Sequence, residues 1–440
     1  MKNKKWMAIL LGGIMAASLA APCSVSAAEK TTLTFWHAMG GTNGEVLQQI
    51  VDDFNASQDE IEIKAEYQGT YDDTITKLKA AMQSDSGLPD VCQMYDVGTK
   101  FMYDSGAVIP VEDKFESTGY DKSSVMEVIS SYYTVDGKQY AMPFNVSTPM
   151  LYYNKDVFEA AGLDPETPPT TYDEVLEDAK KIVESGAAPV GYSQAIYGWF
   201  FEQQLAGLGV TYGNNDNGRT EAVTAVDFDS NGGGLKVFDM WKKLYDSGYF
   251  EDYGTTTADT QTAFFSGQVG MIIESTAILK NAVDSSPFEV GTGYLPRIEQ
   301  NDEGGVIIGG GSLWLTDTGN EANEDAAWKF IEYITTPDVQ AKWSMGTGYF
   351  AINEKAYETD DMKAYLEENP NFMTAINQLK DSPVNCNTAG VLSGVQTEAR
   401  LTFNEIMPQV YDGKLTTQDA VDQLAASVNK AIENYNESIK

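Results

Sequence analysis

The chain has 440 residues, of which 42% are hydrophobic, and a formal net charge of -36. This length and composition fit a globular protein of about two to three domains. The acidity and the lack of any lysine- or arginine-rich run exclude a nucleic-acid-binding face, which needs cations against phosphates, and a basic helix lying on a membrane.

The amino terminus predicts export. Residues 1–27 carry three lysines, then an apolar run, then small residues before Ala28, which is the layout of a cleaved signal peptide. The apolar run, Trp6 to Ala21, is shorter than the ~20 residues that a membrane span needs. We therefore expect an extracytoplasmic protein, located in the periplasm, or on the cell surface if Cys23 is lipidated.

The mature chain opens with alternating strand and helix patterns. In chain order, these are a strand at 32–39, a helix from about 45, a strand at 61–67, a helix at about 72–84 and a strand at 89–96. Such an order predicts a parallel sheet that binds ligands at the carboxyl ends of its strands. His37, Tyr71 and Asp96 lie at or just after those ends, so we expect them at one edge of the sheet.

The middle of the chain contains two unusual stretches. In 140–156, Pro143 and Pro149 interrupt an apolar strand pattern, which predicts an extended crossing between two lobes. In the strand pattern 306–315, the glycines 309–311 predict that another group approaches the backbone closely, since glycine packs nothing itself. The other predicted elements are helices within 155–190, at 233–247 and from 321 onward, and a strand at 267–275.

Catalytic and metal-binding patterns are absent from the sequence. His37 is the only histidine, so a Ser-His-Asp triad would depend on it, and zinc would need clustered histidines and cysteines. The 309–312 segment lacks the last glycine of a nucleophile elbow and the lysine of a phosphate loop. We predict no catalytic residue, no metal and no cofactor. A secreted glycosidase using two carboxylates stays open as the enzyme alternative, and an adhesion or structural surface protein as a third class.

Cys92 and Cys386 are the cysteines that follow the signal region. Export permits a disulfide between them. Because Cys92 lies in an apolar strand pattern, two buried thiols are the preferred interpretation.

Neutral donors and aromatic side chains occupy several predicted element ends, where they are suited to binding a polyol. The sequence contains three arginines. An arginine buried in so acidic a chain pairs either with an anionic ligand or with an internal carboxylate, and the residue type alone leaves both open.

Seven stretches carry a family resemblance: "FWHAMGG", "YQGTYDDT", "QMYDVGT", "PFNVSTPMLYYNKDVFEAAGLDPETPP", "IIGGGSLWL", "GTGYFAINEKAY" and "EARLTFNEI". Through them, the chain resembles the extracytoplasmic solute-binding proteins of ABC importers over essentially its whole mature length. The likeness is strongest to the branch that binds glycerol 3-phosphate, and the longest stretch is the most specific.

The resemblance implies a two-lobed α/β fold of the type II periplasmic-binding-protein kind, with the ligand in the interlobe cleft. Lobe 1 would comprise 28–140 and 288–345, and lobe 2 would comprise 141–287 and 346–440. The implied function is non-enzymatic. A monomer would capture sn-glycerol 3-phosphate or a glycerophosphodiester and deliver it to the permease, and a sugar or oligosaccharide is the alternative ligand.

The resemblance also implies eight ligand-binding residues: Tyr71, Asp96, Ser147, Trp199, Ser275, Gly310, Tyr349 and Arg400. Arg400 would pair with the phosphate, Asp96 would accept from glycerol hydroxyls, and Trp199 would cover the carbon chain. The remaining five would supply neutral donors, with the Gly310 amide facing the phosphate. A second stacking position falls on Ile196, where the loss of an aromatic wall predicts a wider pocket that favours a diester such as glycerophosphocholine.

Overall fold

The computed structural model describes residues 30–84 and 87–439, so the predicted signal peptide and Cys23 lie outside the described residues. The strands are β1 (Thr31–His37), β2 (Ile61–Tyr67), β3 (Val91–Tyr95), β4 (Val108–Ile109), β5 (Thr134–Val135), β6 (Lys138–Gln139), β7 (Met142–Ser147), β8 (Pro149–Asn154), β9 (Val190–Ser193), β10 (Val269–Ser275), β11 (Val290–Gly293) and β12 (Gly309–Thr316). The helices are α1 (Gly41–Ser57), α2 (Tyr71–Met82), α3 (Thr99–Asp104), α4 (Val111–Thr118), α5 (Glu127–Ser130), α6 (Lys155–Ala160), α7 (Tyr172–Ser185), α8 (Gly198–Gly207), α9 (Asn214–Gly218), α10 (Gly233–Asp246), α11 (Thr257–Phe265), α12 (Leu279–Ser285), α13 (Glu321–Ile334), α14 (Pro337–Thr347), α15 (Asp360–Glu368), α16 (Phe372–Asp381), α17 (Gln396–Tyr411) and α18 (Thr417–Ser438).

The first sheet has the strand order β2-β1-β3-β12-β4, with β7 also paired to β12. β1 pairs in parallel with both β2 and β3, which confirms the predicted parallel unit. Helix α1 begins at Gly41, four residues before the predicted start, because its first turn is polar and escapes a hydrophobic pattern. Its apolar side packs into the first core through Leu47, Ile50, Val51 and Phe54.

The second sheet has the order β11-β8-β10-β9, in which β8 is antiparallel to both neighbours and β9 is parallel to β10. Helices α7, α8, α10, α17 and α18 contribute to a second hydrophobic core around it. The opposite face of this sheet, including Met150, Tyr152 and Ile272, belongs to the first core. The two sheets form the predicted two-lobed α/β architecture.

The first crossing between the sheets lies later than predicted. β7 pairs with β12 in the first sheet, whereas β8, which starts at Pro149, pairs with β10 in the second. The crossing is therefore at Thr148, and 142–147 belong to lobe 1 and not to lobe 2. With its two prolines, the sequence of 140–156 reads as one extended segment. This pattern does not predict that β7 and β8 join different sheets.

The other two crossings are also displaced. β11 ends at Gly293 in the second sheet and β12 starts at Gly309 in the first, so the second crossing follows 293 and not 288. Asn353 still bridges to Val125 of lobe 1, while the Asn371 side chain donates to the β11 backbone. The third crossing thus lies between these two asparagines and not near 345.

Both remaining cysteines are free thiols. Cys92 is buried, as predicted, whereas Cys386 is only half-buried. Within residues 30–84 and 87–439, no helix is long and apolar enough to cross a membrane. The same described ranges contain no group of three or more His, Cys, Asp or Glu side chains placed to hold a metal ion.

Candidate ligand site between the lobes

A buried ion cluster joins the two lobes at Arg400, on helix α17. Its Nη2 donates to Asp96 Oδ2 at 2.6 Å and to Glu202 Oε2 at 2.7 Å, and its Nε donates to Glu202 Oε1 at 2.7 Å. Asp96 follows β3 in lobe 1, and Glu202 lies on α8 in lobe 2. The three residues are only 5–7% exposed, so one guanidinium faces two carboxylates away from water.

The charges in this cluster shift each other's titration. Burial alone would lower the pKa of Arg400, but Asp96 and Glu202 outweigh it and hold that pKa well above the usual range. Burial raises the pKa of Glu202, although Arg400 opposes the rise. Arg400 therefore keeps its charge, and its partner in this structure is a pair of internal acids, one of the two alternatives that the residue type left open.

Glu202 belongs to this cluster but was not among the residues that the sequence analysis predicted. It lies three residues after Trp199, on the same side of α8, which places it at the predicted site. The chain has 65 acidic residues, so the sequence alone gives no reason to select this carboxylate from the others.

Two glycines allow α8 to reach the centre of the molecule. A Cβ added at Gly198 would lie 2.5 Å from Arg400 Cα, so only glycine lets α8 pack this closely on α17. A Cβ added at Gly309 would lie 2.6 Å from Trp199 Cζ2. The group that approaches the glycine stretch, as predicted, is therefore the Trp199 indole at Gly309. Gly310 has a φ of +85°, and a side chain there would collide with the Asn145 carbonyl.

Tyr71 and Tyr349 meet at Asn145, on the lobe 1 side of the cleft. Asn145 Nδ2 donates to the Tyr71 hydroxyl at 2.7 Å, and the Tyr71 ring stacks on Tyr95 with centroids 5.0 Å apart. Burial raises the pKa of Tyr349, while its hydrogen bonds to Asn145 and Tyr71 oppose the rise. Gln93 Nε2 donates to Asn145 Oδ1 at 2.7 Å and fixes the amide. Asn145 is a second residue at the site that was not among the predicted eight.

The two predicted serines differ in their local bonding. Ser147 is buried at the end of β7, opposite Gly309, and its hydroxyl has no hydrogen-bond partner in the part of the chain that the structure describes. Ser275 ends β10, and its Oγ accepts from the Ala277 amide at 3.1 Å. Both hydroxyls therefore keep an O–H that can donate to a ligand, but the Ser275 oxygen is already fixed as the acceptor of a 3-10 turn.

Ile196 is fully buried in the second core, and its amide donates to the Gly254 carbonyl at 2.9 Å. That Ile196 widens the pocket stays a prediction. The charges of Arg400, Asp96 and Glu202 act on the phenol of the neighbouring half-buried residue, Tyr197.

Contacts at Arg400, Asn145 and the start of β12 link seven of the eight predicted residues at the boundary between the lobes. Ser275 instead lies opposite Pro149, beside the crossing at Thr148. A cavity of about 670 Å³ lies elsewhere, between 292–306 and α16, and contains none of the eight.

Comparison with known proteins identifies the class to which this fold and site belong. Residues 49–374 match the family described as bacterial extracellular solute-binding protein, and the chain belongs to this family. It is the extracytoplasmic solute-binding protein of an ABC importer, a class that binds a small molecule and delivers it to permease subunits.

Individual relatives cover nearly the whole chain. It is 31% identical over 417 residues to the sn-glycerol-3-phosphate-binding periplasmic protein UgpB of Escherichia coli K12, covering 93% of this chain and 94% of that protein. A solved structure of the cyclic alpha-maltosyl-1,6-maltose binding protein from Arthrobacter globiformis is similar, with a TM-score of 0.75, 26% identity, and 92% and 100% of the two chains covered. UgpB from Mycobacterium tuberculosis in complex with glycerophosphocholine has a TM-score of 0.79 at 20% identity, with 92% and 99% covered, which shows a shared fold.

Proposed function

We propose that this protein, as a monomer, captures a glycerophosphodiester or sn-glycerol 3-phosphate between its lobes and is not an enzyme. The observation that carries the proposal is Arg400, a buried arginine at the lobe boundary with donors and aromatic rings around it. An arginine in such a position is suited to a phosphate, which it binds through several parallel hydrogen bonds. The 31% identical relative is named for binding sn-glycerol 3-phosphate.

Each predicted residue takes a role that its surroundings support. Arg400 pairs with the phosphate, and the free Ser147 hydroxyl donates to it. Asp96 leaves Arg400 and accepts from a glycerol hydroxyl, and Trp199 covers the carbon chain. Tyr71, Ser275, the Gly310 amide and Tyr349 supply the remaining neutral donors.

The acids of the cluster favour a diester over a monoester. Asp96 and Glu202 already face the single guanidinium, so each further negative charge in this buried space is disfavoured. A phosphodiester carries one negative charge, whereas a phosphomonoester approaches two at neutral pH, since its second pKa is about 6. We therefore rank a glycerophosphodiester first and sn-glycerol 3-phosphate second.

A sugar or oligosaccharide is the second candidate. The same two acids leave the cluster without a surplus of positive charge, which suits an uncharged polyol, and the relative from Arthrobacter globiformis is named for a cyclic maltosyl sugar. Indole rings and neutral donors serve a sugar as well as a glycerol chain.

Direct contacts between the lobes define how the ligand would be enclosed. Besides the Arg400–Asp96 pair, Tyr95 and Thr397 hydroxyls lie 2.7 Å apart and the Tyr435 hydroxyl donates to Asp104 Oδ2 at 2.6 Å. The ligand enters only when hinge rotation breaks these contacts. It then stabilises closure because it binds both lobes at once.

A thermal-shift panel tests the proposal with glycerophosphocholine, sn-glycerol 3-phosphate, glycerol, maltose and inorganic phosphate. A specific ligand at 100 times its Kd adds about 2.7 kcal/mol to the free energy of unfolding. We expect this from glycerophosphocholine and a smaller shift from sn-glycerol 3-phosphate. A shift from maltose alone would support the second candidate, and no shift from any compound would contradict binding of either class.

Calorimetry of a single hydroxyl deletion links the ligand to the site. Ser147→Ala removes a donor that has no internal partner, so we expect the Kd for glycerophosphocholine to rise about tenfold. Ser247→Ala is the matched control, because the Ser247 hydroxyl donates to the Leu244 carbonyl at the end of α10. Equal Kd values for the two variants would place the ligand away from Ser147.

A further inference from the structure

Tyr197 lies at the lobe boundary with a hydroxyl that nothing in the described chain uses. It caps the start of α8, two residues before Trp199, and its side chain is half-buried. Within the described ranges, no hydrogen-bond partner contacts its phenol oxygen. Because the hydroxyl is not fully buried, it is open to water or to a bound solute.

The charges around this phenol come from both lobes. Arg400, Glu202 and Glu274 of lobe 2 and Asp96 of lobe 1 all act on it electrostatically. The next residue, Gly198, packs directly on Arg400, so a ligand at the Arg400 cluster lies near Tyr197. Burial raises the pKa of Tyr197 to about 12, so its hydroxyl remains protonated and able to donate at neutral pH.

The rings at the start of α8 form one aromatic surface. The Tyr197 ring lies 6.2 Å from the Trp199 ring at an interplanar angle of 51°, and 5.7 Å from the Phe200 ring in an edge-on arrangement. At these separations the rings contact one another, so no ligand fits between them. Because the rings are tilted or edge-on to one another, they form one angled surface and not two parallel faces. Such a surface suits a slender carbon chain better than a flat sugar ring stacked between two aromatic side chains.

We propose that Tyr197 is a specificity-determining residue, whose ring extends the Trp199 surface and whose hydroxyl donates to an oxygen of the bound solute. This inference rests on the proposed solute site, but it holds for any oxygen-rich ligand of the Arg400 cluster.

Two substitutions separate the hydroxyl from the ring. Calorimetry would measure the Kd of wild type, Tyr197→Phe and Tyr197→Ala for whichever of glycerophosphocholine, sn-glycerol 3-phosphate and maltose the wild type binds. Tyr197→Phe keeps the ring packing, so we expect a Kd about tenfold higher from the lost hydrogen bond. Tyr197→Ala also removes the aromatic surface, and we expect a further rise of about tenfold.

Tyr245→Phe is the matched control. Tyr245 is also a half-buried lobe 2 tyrosine, but its ring stacks on Tyr411 and none of the eight site residues contacts it. The Tyr245→Phe variant should therefore bind the same ligand with the Kd of wild type. A Tyr197→Phe variant with wild-type thermal unfolding and a Kd within twofold of wild type would overturn the inference.

The outcome for Tyr197 is separate from the outcome for the ligand class. If wild type binds maltose and neither phosphate compound, the proposed phosphate function fails, while the Tyr197 variants are still judged by their maltose Kd. If wild type binds a phosphate compound and Tyr197→Phe binds it equally well, the phosphate function stands and only the Tyr197 inference fails.

Discussion

Two arginines of this acidic protein are placed between the lobes in opposite electrostatic settings. Arg400 faces two carboxylates, and they hold its pKa well above the usual range. Arg219, in lobe 2, donates only to the backbone carbonyls of Tyr132, Ala389 and Gly390. It forms no ion pair within the described part of the chain, and burial lowers its pKa to about 10.

The difference shows two ways to hold a buried cation. Arg400 belongs to a cluster of charges that a ligand's own charge and hydroxyls can rearrange. Arg219 lies against the Tyr132 ring of lobe 1, 5.2 Å from its centroid, and its hydrogen-bond acceptors are backbone carbonyls, which do not titrate. The first setting suits a ligand site, and the second suits a fixed contact between the lobes.

The chain segment before Arg219 is unusual in itself. Asn215, Asp216 and Asn217 have φ values of 55°, 52° and 59°, followed by Gly218 at 77°, so helix α9 is a left-handed turn. Asn217 Oδ1 accepts from the Tyr212 and Gly213 amides at 2.8 and 2.9 Å and secures the turn. Strain of this kind persists only where surrounding contacts fix it. Here it aims Arg219 at the opposite lobe.

Removing the cation of the cluster should have the largest effect. Arg400→Met leaves Asp96 and Glu202 buried without a counter-charge, so we expect the free energy of unfolding to fall by about 3–5 kcal/mol. Urea unfolding at pH 7 measures this.

A compensated variant checks the cause. Adding Asp96→Asn and Glu202→Gln to Arg400→Met removes the stranded charges, and most of the lost stability should return. If the triple variant is as unstable as Arg400→Met alone, packing and not charge explains the loss.

Removing Arg219 should have a smaller effect on stability. Arg219→Gln cannot reach three carbonyls, and we expect a loss of about 2 kcal/mol from the unsatisfied acceptors. Arg297→Gln is the control, because the exposed Arg297 side chain forms no ion pair within residues 30–84 and 87–439 and should change little. A loss for Arg219→Gln as large as that for Arg400→Met would remove the contrast between the two settings.

His37 is another buried basic residue, and unlike the two arginines it can become neutral near physiological pH. It is 6% exposed, its Nδ1 accepts from the Met39 amide, and burial lowers its pKa from 6.5 to about 4. The unfolded chain therefore takes up the proton first as the pH falls, and stability is lost between pH 6.5 and 4. The expected contribution at pH 5 is about 2 kcal/mol.

The measurement is the pH dependence of unfolding in wild type and His37→Asn. The asparagine keeps an acceptor for the Met39 amide and has no proton to gain. Between pH 7 and pH 5, wild type should lose about 2 kcal/mol more free energy of unfolding than His37→Asn does. An unchanged difference would mean that His37 is not held neutral.

The smallest effect is expected in the left-handed turn. Asp216→Ala places a residue with poor left-handed propensity at a φ of 52°, whereas Asp216→Gly fits it. We expect the alanine variant to be less stable than the glycine variant by about 1 kcal/mol. Equal stabilities in thermal unfolding would show that the turn relaxes when it is substituted.

Local patterns predicted the elements of the first lobe and the close approach at the glycine stretch. The alternation of strand and helix residues fixed the parallel unit, and Gly309 does lie under another group, the Trp199 indole. The pattern could not name that group, because the contact joins residues 110 positions apart. The family resemblance supplied the eight predicted site residues, of which the strand pattern alone indicated only Tyr71 and Asp96.

Sheet membership and charge partners were beyond the sequence. β7 and β8 form one extended, proline-interrupted run, and only their pairing with β12 and β10 shows that they belong to different lobes. Glu202 is one acid among many, so its pairing with Arg400 emerges only from the contact between α8 and α17. Such facts depend on tertiary packing, which no local pattern records.

A crystal structure of the protein with glycerophosphocholine tests the central claim most directly. We predict a phosphate oxygen within hydrogen-bond distance of Arg400 and Ser147 Oγ, with the Arg219 contacts to Tyr132, Ala389 and Gly390 unchanged. Glycerophosphocholine bound at Arg219 or elsewhere, with the Arg400–Asp96 pair intact, would contradict it.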